Sequence, residues 1–481
     1  MRALIVVFIL LYSSCTEMTT QHRPPNVIIF IADDISWNDF GCYGNSVVQT
    51  PNIDKLAESG ITFTNFYLTA SSCSPSRNSI LTGRYPHNTG AAELHTEPPL
   101  AMLSFPELLR KHNYYSVQAG KFHMGKYALR GFDKTYEKLE EVGNGGEAMW
   151  VHSIKERPKD KPFFAWFASY DAHRDWGPNE FSETHDPTTI TPPIYLSDDL
   201  ETKSDLAKYY DEIKRLDFYI GKVVKELEEQ KALDNTLIIV MSDNGRPFPH
   251  SKTRLNDRGM KTPFIMHWPA MIKGKSECNS LVSVIDIAPT IMELVGINTP
   301  EQFQGYSFNR LIKEPDAKFR NYVFAEQNWH DYEAHGRMVR DEDFMYILNS
   351  RPNNPQIGPA DAVSSPSHKA LEELNKKGKI SPIQADIFVT PRSKEELYDC
   401  NQDTLQFHNI ASITQYNERL DELRNILKDW MLETGDDIPE HLTKDWYLKE
   451  PGYIKTEFHN KRGVMPGATK NATENNKKGK F

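Results

Sequence analysis

The sequence predicts a doubly wound α/β protein with a smaller C-terminal α+β domain, and three observations support this. Four short, near-continuous apolar runs have the length and density of parallel strands buried on both faces. Helical periodicity lies between them, so strands and helices alternate. Polar and charged residues collect where the apolar runs stop, as in sheets that bind ligands outside the carboxyl ends of their strands.

At the N-terminus, Met1-Arg2 precedes an apolar run from Ala3 to Tyr12, then Ser13-Ser14-Cys15. The run is too short to span a bilayer, and residues 1–15 read as an export signal. Small residues directly ahead of Cys15 resemble a bacterial lipobox, which would lipidate Cys15 and anchor the chain to a membrane. Secretion to the periplasm without lipid is the alternative. Residues 16–24 form a polar linker.

The first strand, Asn26 to Ala32, ends in Asp33-Asp34. Next comes Ser72-Cys73-Ser74-Pro75-Ser76-Arg77-Asn78-Ser79-Ile80-Leu81-Thr82-Gly83-Arg84. Ser74 suits an N-cap and Pro75 the first helical position. Cys73 would sit just ahead of the helix, facing unpaired N–H groups that favour an anion. On its own, such a stretch is equally a capped helix with a small buried Cys. Three later runs behave like the first: Tyr115–Gly120 ends at Lys121, Phe163–Ala168 leads to His173, and Leu237–Met241 ends at Asp243-Asn244. The clearest helix is Leu206 to Leu227, apolar at Leu206, Tyr209, Ile213, Leu216, Ile220, Val223 and Leu227.

These elements assign residues 25–340 to the α/β domain and 341–460 to the small one. Within the latter, Phe344–Leu348 reads as a strand, 350–368 as a Pro/Asn/Ser-rich loop, and Asn417 to Leu432 as a helix. The tail 461–481, rich in Lys, Asn and Gly, is expected to be disordered.

The apolar fraction of 39% over 481 residues allows a sizeable core, and a net charge of −10 speaks against a general nucleic-acid binder. An anionic substrate must therefore meet a local basic pocket. Asp33, Asp34, Asp243 and Asn244 offer hard oxygen ligands from two strand ends, which suits Ca²⁺ or Mg²⁺ better than zinc or copper. The alternative is that Asp34 and Asn244 merely cap the helices that follow.

Cys73, Pro75, Ser76 and Arg77, with Leu81-Thr82-Gly83-Arg84, resemble the signature of the formylglycine-dependent sulfatases. The resemblance implies an alkaline-phosphatase-like mixed sheet and oxidation of Cys73 to formylglycine by a formylglycine-generating enzyme. It also implies a divalent cation, usually calcium, at Asp33, Asp34, Cys73, Asp243 and Asn244. Lys121 and His123 match the family's Gly-Lys-x-His segment, as sulfate binder and partner of the nucleophile hydroxyl. Arg77 would steady the nucleophile and carboxylates, and His173 would protonate the leaving group. Lys252 aligns with a second sulfate-binding lysine, although Asp257 to Pro263 departs from the usual spelling of that stretch. With Cys15 lipidated and Cys73 oxidised, Cys42, Cys278 and Cys400 cannot form a complete disulfide framework.

Ser242 to Pro249, Asp171-Ala172-His173-Arg174 and Leu94-His95 resemble the sulfamidase branch, which also holds bacterial enzymes acting on O-sulfated polysaccharides such as ulvan. A sulfated polysaccharide is therefore the expected substrate, with N-sulfoglucosamine the alternative. Substrate selectivity is expected from loop residues: Arg174, suited to a uronate carboxylate, and His95, Glu97, His330 and His335. A phosphodiesterase of the same superfamily would more usually place Thr or Ser beside two metals with His ligands. A non-catalytic glycan-binding lipoprotein would have no need of Cys73, Lys121, His123 and His173 together.

Overall fold

A computed structural model describes residues 24–449 and 457–481. The export signal and Cys15 lie outside the described residues. Ten strands belong to the first part of the chain: β1 (Asn26–Ala32), β2 (Ile61–Phe63), β3 (Phe66–Tyr67), β4 (Tyr115–Gly120), β5 (Lys134–Tyr136), β6 (Phe163–Ala168), β7 (Thr236–Ser242), β8 (Phe264–His267), β9 (Ser276–Cys278) and β10 (Val282–Ser283). Eight of them form one mixed sheet in the order β5-β4-β6-β1-β7-β8-β2-β9. The five strands from β5 to β7 run parallel, and β8 turns antiparallel to β7.

The apolar density of the central strands follows from burial on both faces. Val27, Ile29 and Ile31 join one core with Trp166, Leu237 and Met266. Their neighbours Ile28, Phe30 and Ala32 join the other with Phe167, Val240 and Trp150. Each such side chain contributes roughly 1.5–3 kcal/mol when fully buried. The helix Leu200–Glu229 covers the second face and starts earlier than its periodicity suggests, because Asp199 caps it by accepting the Thr202 N–H at 2.8 Å. β2, β8 and β9 escape a periodicity reading because three or four residues carry too little pattern.

A second, antiparallel sheet runs β11 (Val323–Gln327), β12 (Gly336–Arg340), β13 (Phe344–Asn349) and β14 (Glu395–Asp399). A boundary at 341 would cut it between β12 and β13; the sheet begins at Val323. The helix Asn417–Thr434 packs Leu423, Leu427 and Trp430 onto Phe324, Val339, Tyr346 and Leu397 on one face. Met338, Met345 and Ile347 on the other face enter the core of the large sheet, so the two sheets share one interior. The stretch read as a loop over 350–368 contains the helix Ala360–Val363 and the start of Pro366–Lys376, which Ser365 caps by accepting the His368 N–H. Cys42, Cys73, Cys278 and Cys400 are all free thiols.

The tail expected to be disordered is packed. Buried Arg84, at the end of the signature stretch, donates to Thr473 O, Asn475 O and Asn476 Oδ1. Gln304 Nε2 reaches Lys477 O at 2.7 Å, and the Phe481 ring sits 4.3 Å from that of Tyr306. A polar segment can order in this way because a buried guanidinium needs acceptors that the sheet does not supply. Truncation before Gly467 is expected to destabilise the protein by on the order of 3 kcal/mol, read as a lowered Tm. An unchanged Tm would mean that the contacts are idle.

A buried ion cluster ties the small sheet to the segment that follows the signature helix. His87 Nδ1 lies 2.6 Å from Glu326 Oε1, while Arg337 pairs with Asp436 and lies 3.8 Å from Glu326 Oε2. Burial raises the Glu326 carboxyl, but His87 and Arg337 outweigh it and hold it at about 2. A depressed carboxyl stabilises the fold above its unfolded value of about 4.3 and loses that contribution as pH falls through its folded value. Glu326→Gln should therefore cost most near neutrality, and roughly half of the ionisation advantage should be gone by about pH 3. Urea midpoints of parent and variant at the two pH values test this.

Candidate active site

The carboxyl ends of β1, β4, β6 and β7 open toward the N-terminus of the helix Cys73–Thr82. That helix starts two residues earlier than Ser74 and Pro75 suggest. Ser72 is its N-cap and Cys73 its first residue, and Ser74 Oγ instead accepts the His95 N–H at 2.9 Å. Cys73 Sγ lies 3.5 Å from Asp33 Oδ1 and 4.0 Å from Asp34 Oδ1, at the floor of a cavity of about 650 Å³.

Six charges alternate in sign on this floor, all of them buried. Arg77 Nε donates to Asp243 Oδ2 at 2.8 Å, its Nη1 donates to Lys121 O at 2.9 Å, and its Nη2 stands 3.8 Å from Asp33 Oδ1. One side chain from the signature helix thus joins the ends of β1, β4 and β7. Lys121 Nζ pairs with Asp33 Oδ2, and Lys252 Nζ with Asp34 Oδ2 at 2.7 Å. Lys121 can turn inward because β4 ends in Gly120 with φ +97°, where a Cβ would lie 1.8 Å from Ala168 O. Asp34 and His123 also hold positive φ, at 61° and 41°, a conformation that clusters at functional sites.

Burial shifts the ionisable groups. It raises the Asp33 carboxyl, but Lys121, His173 and Arg77 outweigh it and hold Asp33 well below the usual range. Burial, reinforced by Asp33, lifts Asp243 to about 6. Burial also pushes the Cys73 thiol well above its ordinary value despite Lys121 and Lys252, so an unmodified Cys73 is a protonated, poor nucleophile. His123, in contact with His95 at 2.8 Å, is pushed well down by burial and then by Lys121.

The donor set fits a hard divalent cation. Ligand atoms of Asp33, Asp34, Cys73 and Asp243 all lie within 4.8 Å of one another. The Asn244 amide nitrogen contacts Asp34, and its Oδ1 is buried with no partner. An oxygen-rich cluster with an orphaned carbonyl suits Ca²⁺ or Mg²⁺.

Of the residues expected to meet substrate, His95 and His330 line the cavity with His173, Tyr170, Phe122 and Tyr447. His330 Nδ1 lies 2.8 Å from Ser72 Oγ. Three others are turned elsewhere. Arg174 is locked to both Asp205 oxygens at 2.7 and 2.8 Å and stacks on Trp176 and Phe248, which leaves no donor fork for a uronate. Glu97 Oε2 accepts the Lys126 N–H outside the cavity lining. His335 is buried against Ser350 Oγ and Asp437 O. Sequence reasoning missed Asp361, whose Oδ2 is 3.3 Å from Lys252 Nζ and 3.7 Å from His173 Nε2. Burial opposes the Asp361 charge, but Lys252 and His173 hold its carboxyl well below the usual range. It is the second residue of a four-residue helix inside the segment read as a loop, so no pattern announced it.

Comparisons with known proteins agree with this geometry. The Sulfatase family model matches residues 25–297, and that of the N-sulphoglucosamine sulphohydrolase C-terminal region matches 250–347. An ulvan-active sulfatase of Formosa agariphila is 30% identical over 472 residues, covering 88% of this chain and 78% of the relative. Human N-sulphoglucosamine sulphohydrolase is 28% identical over 462 residues, covering 86% and 91%. Among solved structures, BT4656 with its substrate D-glucosamine-2-N,6-O-disulfate superposes with a TM-score of 0.65 at 19% identity, covering 85% of this chain and 98% of the other. Ps i-CgsB with k-i-k-neocarrahexaose gives 0.63 at 20%, covering 85% and 93%. Those two likenesses establish the shared fold. With the signature cysteine at the floor of the cavity and the family model spanning more than half of the sequence, the chain belongs to the sulfatase family and is a sulfuric ester hydrolase.

Proposed function

We propose that this is an exported sulfatase that hydrolyses sulfate esters of a sulfated polysaccharide or its oligosaccharides, with algal glycans such as ulvan the first candidates. One observation carries the reading: Cys73 sits at a helix N-terminus within 3.5 Å of Asp33, on a cavity floor flanked by Lys121 and Lys252. The names of the Formosa agariphila relatives support the glycan class. Desulfation of N-sulfoglucosamine is the second reading, favoured by the C-terminal family match and the human relative. Export, to the periplasm or as a lipoprotein anchored through Cys15, follows from the apolar N-terminal run.

In this reading a formylglycine-generating enzyme oxidises Cys73. The hydrated aldehyde at position 73 would supply a nucleophilic oxygen for sulfur and a second hydroxyl for the release of sulfate. Ca²⁺ held by Asp33, Asp34, Asp243 and Asn244 would lend Lewis acidity toward the sulfuryl oxygens. The remaining work falls to the chain's own groups. Lys121 and Lys252 bind sulfuryl oxygens as point charges, and Arg77 fixes Asp243 and Asp33 in place. Asp243, held by Arg77 close to Cys73, suits the base that takes the nucleophile's proton. His123 hydrogen-bonds the nucleophile hydroxyl. His173, whose Nδ1 contacts Arg174 O, turns Nε2 toward the cavity beside Asp361 to protonate the departing oxygen.

Protein co-expressed with a formylglycine-generating enzyme should release inorganic sulfate from algal oligosaccharides. Cys73→Ala should lower that rate at least about 10³-fold, while peptide mass spectrometry reports the aldehyde in the parent. Sulfate release from N-sulfoglucosamine alone would select the second reading. Lys252→Ala should reduce kcat/KM by about 10²-fold or more. Chelator treatment should abolish activity, and Ca²⁺ should restore it better than Mg²⁺; full activity without metal would exclude the cation.

A further inference from the structure

The cavity offers a bound sugar very little positive charge beyond the floor. Lys121 and Lys252 are tied to Asp33 and Asp34, where they face the sulfuryl group. Arg77 is sealed beneath them, and Arg174 is spent on Asp205. No arginine lines the cavity among the described residues. Lys138 lines its exposed mouth beside Glu137.

The wall next to His173 is acidic. Asp361 Oδ2 stands 3.7 Å from His173 Nε2, the nitrogen assigned to the leaving oxygen, and 3.3 Å from Lys252 Nζ. Asp331 lines the same wall and accepts the Ala360 N–H at 2.9 Å, which sets the helix that carries Asp361. A sugar whose oxygen leaves toward His173 must therefore bring its neighbouring substituents up to the Asp361 carboxylate. An ionised carboxylate only accepts hydrogen bonds, and those from hydroxyl groups are short and strong. A second carboxylate there would meet like charge, and the one lysine beside Asp361, Lys252, is already shared with Asp34.

We propose that Asp361 selects the sugar: the unit bearing the scissile sulfate is a neutral one whose hydroxyl groups donate to Asp361, and a sulfated uronate is rejected. This rests on the glycan-sulfatase reading above and adds to it the chemistry of the unit that is cleaved. Arg174, the residue that the sequence offers for a uronate, plays no part.

The experiment compares glycan fragments whose sulfate sits on a neutral sugar with fragments whose sulfate sits on a uronate, using the formylglycine-containing full chain. Release of inorganic sulfate should favour the neutral set by more than about tenfold in kcat/KM, given like-charge repulsion at short range in a partly buried site. Asp361→Asn, which keeps the shape and removes the charge, should shrink that preference about tenfold at unchanged Tm. Equal or faster release from the uronate set overturns the proposal and leaves the sulfatase reading standing. So does an Asp361→Asn variant that keeps the full preference. Silence on every fragment overturns the glycan reading and this selection with it.

Discussion

The site depends on one constraint: three buried carboxylates have to be kept together at the ends of two neighbouring strands. Asp33, Asp34 and Asp243 would repel one another in a medium of low dielectric. Arg77, Lys121 and Lys252 interleave with them, each from a different segment, so that every carboxylate has a cation within reach. Burying such pairs is costly and adds little net stability, but removing one partner strands the other without solvent. The arrangement therefore holds the parts of the floor in one geometry. Much of the surrounding fold serves it. The parallel strands deliver the carboxylates, Gly120 lets Lys121 turn, and the signature helix brings Cys73 and Arg77 in one piece.

Arg84 extends that logic away from the chemistry. It closes the same signature stretch, yet its guanidinium faces the C-terminal tail and takes its acceptors from Thr473, Asn475 and Asn476. The two arginines of one motif thus have separate tasks, one at the floor of the cavity and one as the anchor for the chain's last residues. Composition pointed to disorder there because Lys, Asn and Gly cannot build an apolar core. The tail is ordered by satisfying a buried charge, and composition does not register that route.

The cavity wall shows where reading by residue type ends. Arg174 has the right chemistry for a uronate, but its fork is filled by Asp205 and its plane by Trp176 and Phe248. Asp361 lies in a stretch rich in Pro, Asn and Ser, yet it stands beside His173 and Lys252. Both outcomes depend on contacts between residues tens to more than a hundred positions apart. Nothing local encodes them.

The sequence by itself determined the central strands, because burial on both faces requires continuous apolar runs that end abruptly at polar residues. It also determined most of the floor of the site, since Asp33-Asp34, Cys73, Arg77, Lys121 and Asp243-Asn244 all follow those ends closely or sit in a contiguous motif. Tertiary structure alone decided the rest. The small sheet starts at Val323 because β12 pairs on both edges, with β11 as well as with β13, and the short strands β2, β8 and β9 exist only through their neighbours. The charge of the cavity wall belongs to the same class: a side chain's electrostatic role depends on which partner reaches it first, and that is settled by packing.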